Sequence, residues 1–199
     1  MLRLSRRTAL GTKVVYMRID DARGNTVGAS VHGIGATTVI SSAVYPVGGR
    51  LSTVNSRVEC ARADPFTWTH CFHLVDGRLI ERGRTPEMGE QCIPRWAQFA
   101  VASYLAGHKD HLPMECTAID ELTGLGKPSR FELTRQGTIS WSVDGVEHCQ
   151  YWIRSGEISA SRWDDLSGRV VSDQDELFAG LPPEIRKDLV GFVKDAGRR

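Results

Sequence analysis

Two histidines, a cysteine and two large aromatics crowd into residues 67–77, which read TWTHCFHLVDG. Histidine and cysteine are zinc ligands, and a histidine set among aromatics can also orient a ligand or move a proton. If the segment is a strand, parity separates these uses. Phe66, Trp68, His70, Phe72 and Leu74 share one face, while Thr67, Thr69, Cys71, His73 and Val75 share the other. His70 and Cys71 then point apart, and Cys71 with His73 makes only half of a tetrahedral site. In Glu147-His148-Cys149 the histidine and cysteine again alternate. The two histidines of HKDH (residues 108–111) converge only in a helix, and Gly107 reads as a helix end. No metal site is expected. His70 is instead read as the polar group on an aromatic wall, with Trp68, Phe72, Trp141 and Tyr151 as the binding surface and Trp152 and Trp163 as further lining.

Two carboxylate pairs are the other candidates for proton chemistry. Asp120-Glu121 lies in the loop-like AIDELTGLGKP and Asp164-Asp165 in RWDDLSG, where Asp165 is expected to shape a turn before Gly168. His70, Asp120 and Glu121 are thus the candidate catalytic groups. HGIGATT contains GxG without the third glycine and following helix of a dinucleotide site. The chain has no GxSxG, phosphate-binding loop or HExxH motif, and no cofactor is called for.

These residues must be positioned by strands. Glycine-centred turns recur at residues 22–25, 47–50, 75–78, 135–138, 143–146, 154–157 and 166–169. Between them the chain alternates: Phe131, Leu133, Ile139, Trp141 and Val143 occupy odd positions with mostly polar residues between. Residues 13–80 form a first group of strands and residues 129–172 a second, within a single domain spanning residues 1–199. One helix, residues 94–107, interrupts them. It is apolar nearly all round and is expected to lie buried against the concave side of the sheet. A second helix, residues 182–197, is amphipathic and belongs on the outside. The expected fold is mainly β: a curved antiparallel meander, half-barrel or open barrel, with a buried helix.

Composition narrows the partners. Lys and Arg number 25 against 24 Asp and Glu, so the basic excess that phosphate neutralisation requires is missing and nucleic acid is not expected. The apolar runs are too short for a membrane-spanning helix. Five widely spaced cysteines without a CxxC pair read as reduced thiols, and charges at Lys13, Arg18 and Asp20 break the h-region that SRRTAL would need as an export signal. A cytoplasmic location is the expectation.

The stretch VVYMRIDDARGNTVGASV, further hairpins, a short helix and SWSVDGVEHCQYWIRSGEISASRWDDLSGRVVS together resemble the lipoprotein-carrier-like half-barrels over roughly residues 13–172. In that class a curved antiparallel sheet wraps a helix, and the resemblance implies an apolar ligand held between them. The expected function is binding of a small apolar molecule in this concavity. The alternative is a small-molecule enzyme of cyclase or isomerase type that uses the same space.

Overall fold

A computed structural model describes residues 13–62, 64–187 and 189. Six consecutive strands open the described chain: β1 (Lys13–Asp20), β2 (Thr26–Ile34), β3 (Thr38–Val47), β4 (Arg50–Cys60), β5 (Trp68–Val75) and β6 (Arg78–Gly83). A short β7 (Cys92–Pro94) leads through a single 3-10 turn into α1 (Gln98–Gly107). Six more strands follow: β8 (Met114–Ile119), β9 (Gly126–Leu133), β10 (Ile139–Val143), β11 (Val146–Arg154), β12 (Glu157–Trp163) and β13 (Leu166–Val171), then α2 (Gln174–Phe178). All thirteen strands form one sheet in the order β6-β5-β4-β3-β2-β1-β13-β12-β11-β10-β9-β8-β7. The first and last strands meet at its centre, with Tyr16 opposite Val171, and every pair is antiparallel except β7–β8. The sheet is not closed into a barrel. The fold is the expected mainly β meander with a helix against one face.

The helix is buried because it offers water almost nothing. Phe99, Ala100, Val101, Ala102, Leu105 and Ala106 are all buried, packed into one core with Met17, Trp68, Phe131, Trp141 and Tyr151 from the sheet. Full burial of side chains such as Phe99, Val101 and Leu105 stabilises by about 1.5–3 kcal/mol each. Pro94 ends β7 instead of opening the helix, so the expected residues 94–107 divide into the end of a strand, a 3-10 turn and ten residues of α-helix.

The opposite face of the sheet has its own core. Ala29, Val31, Val44 and Val171 are covered there by Leu177, Phe178, Leu181, Ile185 and Leu189. Asp173 caps α2 through the Glu176 N–H at 2.8 Å. The expected C-terminal helix is helical at residues 183–187 and 189; residue 188 and residues 190–199 lie outside the described part.

Side chains and backbone groups bridge the seam where the sheet fails to close. Arg82 of β6 donates from Nε to the Glu121 carbonyl (2.6 Å) and from a terminal nitrogen to the Leu122 carbonyl (2.7 Å). Arg84 reaches the Gly89 and Glu90 carbonyls, and Trp68 donates its indole N–H to the Cys92 carbonyl at 3.0 Å. Gly124 permits the Arg82 contact: its φ is +77°, and a Cβ there would lie 2.6 Å from a guanidinium nitrogen.

Two expectations about faces and turns are corrected. Cys60 pairs with Trp68 but Glu59 pairs with His70, so Thr69 is an extra residue, a β-bulge. The bulge turns Trp68 inward with Cys71 and His73, while His70 and Phe72 face outward. The last hairpin turns at Asp164-Asp165, with Asp164 at φ 50°, and Gly168 instead lies within β13. A Cβ on Gly168 would meet Ser161 Oγ at 2.8 Å and Met17 Cε at 3.0 Å.

Candidate functional site

A cavity of about 530 Å³ lies between the concave sheet face and the start of α1. Its apolar wall is built from inward positions of the central strands: Met17 and Ile19 from β1, Ala43 from β3, Trp141 from β10, Tyr151 from β11 and Trp163 from β12. Phe99 closes it from the helix. The Phe99 ring lies edge-on to Tyr151 (centroids 6.1 Å apart) and flat on the His32 imidazole (4.0 Å, 13° between planes). Trp141 is held by a 2.6 Å hydrogen bond from its indole N–H to Ser129 Oγ.

The other wall is polar, and the segment before α1 and the turn after β8 converge there. Glu121 is only 2 % exposed, and its Oε1 accepts the Trp96 backbone N–H at 2.7 Å. Burial pushes its carboxyl up to about 7; the Trp96 N–H opposes the rise, and Asp120 adds to it. Asp120 behaves differently. Burial works against its charge, but the Thr123 backbone N–H and hydroxyl (2.8 and 2.9 Å) outweigh burial, and with Arg95 they hold it below the usual carboxylate value. Arg95 lies 4.0 Å from Asp120 and 3.4 Å from His148 Nδ1, with its guanidinium 6.0 Å from the Trp141 ring centroid. Burial, then Arg95, lowers the His148 imidazole.

Two buried histidines also line the cavity. His32, on β2, is bonded at both ring nitrogens, by Ser41 Oγ at 2.9 Å and Ser30 Oγ at 3.1 Å. Burial draws it down to about 3. His73, on β5, is 3 % exposed and its Nδ1 is enclosed without a hydrogen-bond partner. Its ring centroid lies 5.6 Å from that of Trp96. Burial draws it to about 4, against the pull of Asp120. Both imidazoles are therefore neutral at physiological pH.

Of the residues singled out from sequence, Trp141, Tyr151, Trp163, Asp120, Glu121, Asp164 and Asp165 line this cavity. Trp68 is buried in the core, at the seam. His70 is exposed on the outer face, and Phe72 is half-buried there beneath the Arg57 guanidinium. Trp152, outward on β11, carries Arg162 over its ring. His108 and His111 pack with Tyr104, whose hydroxyl lies 3.0 Å from His111 Nδ1. Among the described residues no group of three or more His, Cys, Asp or Glu is arranged to hold a metal ion. No helix among them is long and apolar enough to cross a membrane.

Sequence reasoning did not place His32, Arg95, Trp96 or Phe99 in a site, and it weighed His73 only as a metal ligand with Cys71. The signal for the two histidines was polar residues at inward parity in otherwise apolar strands: Ser30-x-His32 facing Ser41, and His73 facing Ser56 across Val54-x-Ser56-x-Val58. Comparison with protein-family models, curated proteins and solved structures finds no match to this chain.

Proposed function

We propose that the protein binds a small, largely apolar molecule in the cavity between its sheet and α1. The observation that carries this reading is the cavity itself. At about 530 Å³ it falls within the range of small-molecule sites, and aromatic and aliphatic side chains form one wall while a few polar groups converge on the other. Native mass spectrometry of protein purified from its own host, followed by denaturation and identification of what is released, tests it. A co-purifying apolar molecule, displaced when Phe99 is enlarged to Trp to fill the cavity, is the expected result. An apo mass, together with no quenching of the cavity tryptophans by apolar dyes, would count against binding.

A second reading is favoured by Glu121. A buried carboxyl whose affinity for protons is centred near neutrality is suited to giving and taking a proton within one reaction cycle. A cyclase or isomerase would use the same cavity with Glu121 as the proton-handling group. Glu121→Gln would then abolish turnover while leaving binding nearly intact.

A further inference from the structure

The five tryptophans of the chain divide into two sets. Three carry a guanidinium over the ring: Arg84 on Trp68 at 5.9 Å from the centroid, Arg95 on Trp141 at 6.0 Å and Arg162 on Trp152 at 5.9 Å. Among the described residues no cation covers Trp96 or Trp163, and both of these line the cavity. Trp163 meets Tyr45 there, with centroids 6.5 Å apart and planes at 86°, so the two rings make the walls of a corner. Ring faces attract a positive charge. Asp164 follows Trp163 in the chain and also lines the cavity. Its charge reaches Tyr45: burial raises the phenol, Arg95 opposes the rise, and Asp76 and Asp164 add to it.

The charges around the cavity are one-sided. Asp120, Glu121, Asp164 and Asp165 line it, against the single guanidinium of Arg95. The histidines of the lining do not redress this, because burial lowers His32, His73 and His148 alike. Even with Glu121 protonated, three carboxylates stand against one cation. Arg95 is moreover engaged within the protein, 4.0 Å from Asp120, 3.4 Å from His148 Nδ1 and over the Trp141 ring. A recess lined by one sign of charge concentrates its field and draws in the opposite sign. An anion would enter against that field.

We infer that the molecule bound in the cavity carries a positively charged nitrogen on its apolar body, and that Tyr45 and Trp163 seat this group beside Asp164. Arg95 shows the same arrangement made by the protein itself: a cation over a tryptophan with a carboxylate at its side. An alkylated ammonium suits such a seat, since aromatic faces and a carboxylate replace its water without demanding a set of hydrogen bonds. The inference rests on the binding reading above and adds the ligand's chemical class to it.

Three probes sharing a naphthylmethyl body test it: the trimethylammonium, its uncharged isostere with carbon in place of nitrogen, and naphthylacetate. By calorimetry on the wild-type protein, the ammonium should bind about tenfold more tightly than the isostere, and naphthylacetate should bind most weakly. Asparagine accepts the left-handed backbone of Asp164 (φ 50°), so Asp164→Asn removes the charge and keeps the turn. In that variant the preference for the ammonium should shrink by about threefold or more while the affinity of the isostere holds. Trp163→Leu should shrink the preference as well; if it does not fold, Asp164→Asn alone decides. Equal binding of ammonium and isostere to the wild type would overturn the cation assignment and leave the binding reading standing. Tightest binding of naphthylacetate would overturn it in favour of an anion on Arg95. An ammonium preference that both variants leave intact would overturn the seat beside Asp164. Failure of all three probes to bind would remove the binding reading, and this inference with it.

Discussion

Glu121 carries a consequence for stability as well as for chemistry. Its carboxyl is drawn up to about 7 in the folded protein, against an ordinary value of 4.5. The folded state therefore holds a proton that the unfolded chain has released. The stability this contributes is fully present below about pH 4.5 and is lost as pH rises through about 7. Glu121→Gln keeps an acceptor for the Trp96 N–H but does not titrate. The stability of the variant relative to wild type should rise by about 3 kcal/mol between pH 4.5 and 8, as read from urea unfolding at each pH. His32 and His73 act in the opposite direction: both are lowered, so their neutral forms favour folding above about pH 6.5 and that contribution fades as pH falls toward their folded values. They are common to both proteins and cancel from the difference. A variant whose advantage does not change with pH would show that the Glu121 carboxyl titrates in the folded protein as it does in the unfolded chain.

At the scale of elements, strands and turns were legible because alternation and glycine are local signals. β1 to β5 fall within residues 13–80, the expected first strand group, and β6 (Arg78–Gly83) runs past its end. What stayed hidden was the set by long-range contacts. Thr69 as a bulge is visible only through its pairing with β4, and that one extra residue put Trp68 and His70 on opposite faces. Asp120 and Glu121 are neighbours of similar chemistry. They are distinguished by Trp96, twenty-five positions away, and by Arg82, thirty-nine away, which fix the loop that buries only Glu121. β7 and β8 carry too few residues in alternation to be read as strands from sequence. Because Arg82 ties the edge strand β6 to the turn after β8, Arg82→Ala should cost about 1–3 kcal/mol. It should also speed amide exchange at residues 120–126 far more than in β1 or β13. Uniform exchange across the sheet would mean that the guanidinium does not hold the seam.

The whole molecule is a sheet with two independent covers, α1 on one face and the C-terminal segment on the other. The cavity belongs to the first. Leu177, fully buried on the second, fills no part of it. Leu177→Asp should lower stability by about 3 kcal/mol or more and expose a dye-binding apolar patch over Ala29, Val31 and Val44. At low temperature, while the variant remains folded, its affinity for an apolar dye that quenches the cavity tryptophans should match wild type. A parallel loss of affinity would show that the two faces are coupled through the strands.

The central pairing of β1 with β13 also bears on synthesis. β1 to β6 are synthesised well before β13, so the edge of β1 that faces it has no partner until residues 166–171 arrive. At about 5–20 residues per second, a row of unpaired backbone groups on β1 waits roughly eight to thirty seconds for its partner. The hazard of misassembly thus falls on the middle of the finished sheet rather than on its margins, and within a time window that closes when the last strand is made.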